Sequence, residues 1–234
     1  MLALIHVVFV RAIEWGWEGN NPASGVKKFK EQSRERFLHA DELPKFFESL
    51  AIEPDKLYRD YFLLAILTGA RRANLLAMRW DQINFDRAVW TIPHEETKTK
   101  ENYHIPLVSE ALQILTQRKL NRVSEWVFPS TGKTGHLVEP KKAWKRILER
   151  AELTDLRIHD LRRSLGSWQA ATGASLSIIG KSLGHKNINS TAIYARLNID
   201  PVRESMETAT SAMMVAGRLP SSSTAKDRSK NKVK

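Results

Sequence analysis

One break in hydrophobic period constrains this chain more than any other feature. From Asp41 to Met78, and again from Ser109 to Ala216, apolar residues recur at intervals of three and four, the spacing of one helical face. Between Ile83 and Leu107 that period collapses into short β-branched or aromatic runs, Ile83-Asn84-Phe85, Ala88 to Ile92 and Tyr103 to Leu107, with turn residues between them. Such runs read as a small antiparallel sheet. The expected fold class is mainly α with a small antiparallel β-sheet (α+β).

Punctuation residues set the expected helices. Asp41 is placed to cap a helix through Leu43, Phe46, Phe47 and Leu50, and Gly69 to stop a second one running from Asp55 to Thr68. A third spans about Arg71 to Met78, and Ser109 caps a helix to Leu120. Further helices are expected at about 140–151, 159–171, 175–183, 190–197 and 200–216. Residues 1–18 read as a helix apolar on most faces, ended by Gly19-Asn20-Asn21-Pro22. A helix of that kind needs packing on both sides. Residues 19–36 carry Lys27, Lys28, Lys30, Arg34 and Arg36 with little periodicity. They read as a basic linker, either lying along a phosphate backbone or simply solvated. The main domain is expected over 37–216, and 217–234, rich in Ser and Lys, as a disordered basic tail.

Charge and cysteine content narrow the partners. Lys and Arg number 37 against 26 Asp and Glu, a formal charge of +11, which favours a polyanion and above all nucleic acid. There is no cysteine, so disulfides, thiolate metal sites and a cysteine nucleophile are excluded. The apolar run Met1 to Val10 is interrupted by Arg11 and Glu14, well short of the ~20 residues a membrane span requires.

Several short patterns carry candidate chemistry. Leu183-Gly184-His185 reads as a helix stop, and Asn189, Ser190 or Thr191 as the cap of a following helix that brings Tyr194 near His185. A phenol is a poor nucleophile until neighbours take its proton. Thr68-Gly69-Ala70-Arg71-Arg72 puts arginines at a helix start, facing either an anion or solvent. His159-Asp160-Leu161-Arg162-Arg163 puts an imidazole and a guanidinium at i and i+3 on one face, suited to moving a proton while holding phosphoryl charge. Lys98 and Lys100 on the expected hairpin tip compete as proton donor to a departing oxygen. No HExxH, paired-Asp cluster or P-loop occurs in the chain.

Taken together, these motifs resemble the tyrosine recombinase (phage integrase) family over roughly residues 37–216. TGARRANLLAMRW resembles the family's first-arginine motif and assigns Arg71. TKTKENYHIPL resembles its β-hairpin lysine motif; the family spacing, eight residues back from Pro106, selects Lys98 over Lys100. HDLRRS gives His159 and Arg162, and LGHKNINSTAIY gives His185 and Tyr194. The family usually has an acidic residue where Asn74 stands, and Asn there is expected to hold Arg71 less firmly.

The resemblance implies a catalytic-domain fold of that family and DNA breaking and rejoining through a 3′-phosphotyrosyl ester at Tyr194, with neither cofactor nor metal. It implies that Arg71 and Arg162 clamp the phosphate, Lys98 protonates the leaving oxygen, His159 assists Tyr194 and His185 donates to the phosphate. Arg72, Lys100, Arg163, Lys186, Lys27 and Lys28 are the further cations expected to meet DNA. The implied partners are double-stranded DNA and a homotetramer on paired sites, monomeric without DNA. The implied setting is the bacterial or phage-infected cytoplasm, at the nucleoid. Residues 1–18 would then be the last helix of an upstream DNA-clamping domain. A type IB topoisomerase-like relaxing enzyme, and a DNA-binding fragment inactive without that domain, are the alternatives.

Overall fold

The computed structural model describes residues 1–27, 29, 34–97, 101–185, 187, 190–194 and 200–216, with the side chains of 200–202 and 204 left aside. It comprises two compact units, Met1–Arg34 and Glu35–Lys234.

In the first unit, helix α1 (Leu2–Glu14) has no buried residue, and Leu4, Val7, Val8 and Trp15 are exposed. The chain after α1 folds back on it. Phe9 and Trp17 pack with ring centroids 5.1 Å apart, and the Asn21 amide donates to the His6 carbonyl at 3.0 Å. Asn21 Oδ1 in turn accepts from the Ala23 amide at 3.0 Å, the short-range turn that Asn favours. Lys27 is exposed in this unit.

The second unit is built on α3 (Lys56–Thr68), which buries Tyr61, Phe62, Leu64, Ala65 and Ile66. Its ends follow local chemistry. Asp55 Oδ1 accepts from the Leu57 amide at 2.8 Å, and Gly69 closes the helix at φ 57°, a left-handed conformation that costs glycine nothing. Around α3 stand α2 (Glu42–Ala51), α4 (Arg72–Leu76), α5 (Ser109–Leu120) and α6 (Lys141–Arg150), followed by α7 (Ile158–Ala171), α8 (Leu176–Leu183) and α9 (Asp200–Ala216). Aromatic edges knit this core: Tyr61 meets Phe128 at 5.4 Å and Phe62 meets Trp144 at 5.0 Å. Glu53, its side chain wholly buried, is neutralised by Arg146 and Arg150 from α6, so a charge that would otherwise be costly to bury is paired.

The period break is a three-stranded antiparallel sheet of order β1-β2-β3, with β1 at Ile83–Asn84, β2 at Val89–Ile92 and β3 at Tyr103–Pro106. Its register pairs Ile83 with Trp90 and Trp90 with Ile105. That row is buried, and the Trp90 indole donates to Gln82 Oε1 at 3.0 Å. The extended piece at Val127 is held by a 2.8 Å bond from its amide to the Met78 carbonyl.

Three expectations are corrected. Ser109 is the first residue of α5 and not its cap; Val108 takes the cap position with extended backbone and no side-chain bond. The helix expected from Arg71 begins at Arg72, because Arg71 itself is extended at φ −64°, ψ 138°. Residues 190–194 do not form the start of an α-helix. They make tight turns in which the Ser190 amide bonds the Asn187 carbonyl and the Tyr194 amide the Thr191 carbonyl, while the Thr191 hydroxyl meets His185 instead of capping. The rest of that expected helix, 195–197, and the tail 217–234 lie outside the described residues, as does part of the expected linker.

Candidate active site

The site is organised on the last carbonyls of α8, which a helix leaves without internal partners. Ser175 starts this helix by accepting from the Ile178 amide at 3.3 Å, and Gly184 ends it at φ 60°. Three successive carbonyls then take donors from three different elements. Tyr103 Oη on β3 donates to Ser182 O at 2.5 Å, Arg162 Nη2 on α7 to Leu183 O, and Arg71 Nη2 at the head of α4 to Gly184 O at 2.7 Å. Cations are also favoured there by the helix dipole. Any Cβ on Gly184 would lie 2.7 Å from the Tyr103 ring, so glycine serves both the backbone twist and the ring's approach.

Arg162 does more than meet α8. Its Nη1 donates to Gly69 O at 2.6 Å, so one guanidinium fork joins the C-terminal ends of α3 and α8. It is 4% exposed. Helix α7 sets its direction: His159, Arg162 and Gly166 share one face at i, i+3 and i+7. Asp160 anchors the start of that helix, accepting from the Arg157 amide at 2.8 Å and from Arg163 Nη1 at 3.0 Å.

Tyr194 closes the site. It is 2% exposed and packs with Ile179 and Leu183. Its ring lies against Gly166, where a Cβ would come within 2.6 Å of Cζ. The ring planes of His185 and Tyr194 are within 5° of parallel, with centroids 6.4 Å apart. Burial pushes the Tyr194 phenol above its ordinary pKa, partly opposed by the charges of Arg162 and Arg163. His185 is pushed down to about 4, first by desolvation and then by the charges of Arg162, Arg71 and His159. His159 keeps an open face to solvent, and partial desolvation together with Arg162, Arg163 and Arg71 lowers it too. Both imidazoles are therefore neutral at pH 7, and the two arginines are the fixed cations of the cluster.

A cleft of about 130 Å³ opens beside these groups, lined by Arg71, Asn102, Tyr103, Gly184 and His185 among others. Arg71, His159, Arg162, His185 and Tyr194 thus gather in one place, and Arg163 stands at its edge, paired with Asp160 at 3.0 Å. Arg72 is exposed and turns to Glu139 at 3.9 Å. Lys98, Lys100, Lys186 and Lys28 lie outside the described residues. Asn74 does not bond Arg71 among the described residues; its amide donates to the Glu96 carbonyl at 3.2 Å, at the base of the β2–β3 connection.

Sequence reasoning missed Tyr103, Thr191 and Gly166. Only Gly166 left a local trace, since a glycine inside a helix costs about 1 kcal/mol against alanine and marks a close approach.

A family model described as "Phage integrase family" matches residues 36–200. The chain is similar to prophage integrase IntF of Escherichia coli strain K12, 32% identical over 154 residues, covering 64% of this chain and 32% of that protein. It is similar also to the integrase of Salmonella phage P22, 28% identical over 210 residues, covering 82% of this chain and 53% of that one. The chain therefore spans between a third and about half the length of these relatives. Among solved structures, the integrase of transposon Tn1549 in complex with a circular-intermediate DNA superposes with a TM-score of 0.68 at 18% identity. The match covers 87% of this chain and 76% of that one, a likeness of fold.

Proposed function

The chain belongs to the phage integrase family, and from that premise we propose that it is the catalytic part of a site-specific DNA recombinase that cuts and rejoins strands through Tyr194. The observation that carries this reading is the convergence of Arg71 and Arg162 on adjacent carbonyls, Gly184 O and Leu183 O, next to the parallel rings of His185 and Tyr194. Two guanidinium groups held side by side are what a phosphate with developing negative charge requires.

In the proposed reaction Tyr194 Oη attacks a backbone phosphorus. An oxygen–phosphorus bond forms to the phenol while the bond to the 5′ oxygen breaks. The phenolic proton passes to neutral His159, and the departing 5′ oxygen takes a proton from Lys98. Arg71 and Arg162 hold the non-bridging oxygens with the donors left over from their carbonyl bonds. The ester conserves the broken bond, so a 5′ hydroxyl of another strand can reverse the step without ATP. Because the phenol is buried and its pKa raised, attack requires both a base and a movement of the 190–194 turn that presents Tyr194 to DNA. The proposal includes assembly as a tetramer on paired DNA sites in the cytoplasm.

A nicked duplex that traps the cut strand tests this. The expected result is a covalent protein–DNA adduct that disappears in Tyr194→Phe, and equal adduct in both proteins would refute it. The 2% exposure of Tyr194 favours a second reading, a fragment that binds duplex through phosphates and is inactive without an upstream domain. That reading expects salt-sensitive binding with no adduct under any condition. Relaxation of supercoiled plasmid without strand exchange would point instead to a topoisomerase-like enzyme.

A further inference from the structure

Thr191 is 1% exposed, and its Oγ1 lies 2.9 Å from His185 Nδ1. No other side-chain hydrogen bond of Thr191 occurs among the described residues. Gly180 of α8 faces the same hydroxyl, and a Cβ there would stand 3.2 Å from Oγ1, so α8 closely bounds the hydroxyl on that side.

We infer that Thr191 is a positioning residue that fixes His185 as the Nε2–H tautomer, by donating its hydroxyl proton to Nδ1. A buried hydroxyl must place its proton on an acceptor or forfeit that hydrogen bond with nothing from solvent to replace it. Among the described residues, Nδ1 is the side-chain acceptor within reach. A neutral imidazole carries one N–H, so accepting at Nδ1 leaves the hydrogen on Nε2. Desolvation first, then the neighbouring Arg162, Arg71 and His159, keep the ring neutral and so keep this choice meaningful. The consequence for the site is a donor at Nε2 with its orientation set from behind, which suits a hydrogen bond to a non-bridging phosphate oxygen. Were Nδ1 to carry the hydrogen, Nε2 would be a lone pair and would repel that oxygen. This role rests on the phosphoryl-transfer reading above, but the tautomer itself does not.

The test is a long-range proton–nitrogen NMR spectrum of the nitrogen-15-labelled full chain, with His185 assigned by loss of its signals in His185→Gln. The wild type and Thr191→Ser are expected to show hydrogen on Nε2. Thr191→Val is expected to show the Nδ1–H form or a mixture, with adduct formation about 10- to 100-fold slower, the scale on which orienting partners of functional histidines act. Gly180→Ala, which crowds the hydroxyl from the other side, is expected to move the tautomer in the same direction. Hydrogen on Nδ1 in the wild type, or an unchanged tautomer in Thr191→Val, overturns the inference. If the wild type shows Nε2–H and Thr191→Val shifts it, yet no adduct forms, the tautomer assignment stands and the strand-cutting reading falls.

Discussion

Tyr103 Oη on β3 donates to the carbonyl of Ser182 on α8 at 2.5 Å, and its ring rests on Gly184. This contact fixes the small sheet to the same helix end that receives Arg71 and Arg162. The residue is therefore a strut between the β2–β3 connection and the cationic cluster. Tyr103→Phe keeps the ring and removes only the donor. It should lower unfolding stability by about 1 kcal/mol and slow adduct formation several-fold, with duplex affinity little changed. Denaturant melts and single-turnover cleavage check this, and wild-type cleavage in Tyr103→Phe would remove the strut role.

Acid should loosen this site before it protonates the rest of the fold. An imidazole in the unfolded chain titrates near its ordinary value of 6.5, whereas folded His185 is pushed down to about 4. Between those values the unfolded chain holds a proton that the folded one does not, so stability falls as pH drops from about 6.5 toward 4. His159, also lowered, adds in the same direction. Thermal melts should show a lower Tm at pH 5 than at pH 7, with a shallower dependence in His185→Gln. A phosphate in the cleft would offset Arg71 and Arg162 and raise the His185 pKa, so NMR titration in the presence of duplex should find it higher. A slope unaltered by His185→Gln would contradict the assignment.

What was legible in the sequence was local. The start of the second helix near Asp55, the glycine stops at Gly69 and Gly184 and the change of period at Ile83 each depend on a few neighbouring residues, and each fell where spacing put it. The motif resemblance brought Arg71, His159, Arg162, His185 and Tyr194 forward as a set. Illegible were the contacts that gather them. Arg71 reaches a carbonyl 113 positions away and Tyr103 one 79 positions away, distances at which no periodicity speaks. The start of the helix expected at 190–197 failed for a related reason. Asn189, Ser190 or Thr191 reads as its cap because such residues often bond the backbone ahead of them, but in the fold a partner behind it, His185, meets the Thr191 hydroxyl.

Gly166 should be intolerant of even a methyl group. A Cβ there would stand 2.6 Å from Tyr194 Cζ and 3.0 Å from Leu183 Cδ1, so Gly166→Ala must displace one ring or one helix. The gain in helix propensity, about 1 kcal/mol, competes with overpacking of about 1–3 kcal/mol. The net stability change should be small, whereas adduct yield should change markedly because the displaced group is the nucleophile. Parallel melts and nicked-duplex assays separate the two effects. Unchanged adduct yield would mean that Tyr194 does not use this position on its path to DNA.

Arg162→Lys separates charge from geometry. The guanidinium spends two of its five donors on Gly69 O and Leu183 O, joining two helix ends, and keeps others for a phosphate. An ammonium is a single point of charge and cannot bridge both carbonyls and a phosphate in one plane. Buried at this depth, it would also be driven toward its neutral form. The variant should lose about 1–3 kcal/mol of stability through the unpaired carbonyls and form adduct about 100-fold more slowly or worse. Nonspecific duplex affinity should fall far less, because most of it comes from cations across the surface. Cleavage near the wild-type rate in Arg162→Lys would show that charge alone suffices, and the bidentate clamp on the phosphate would have to be abandoned.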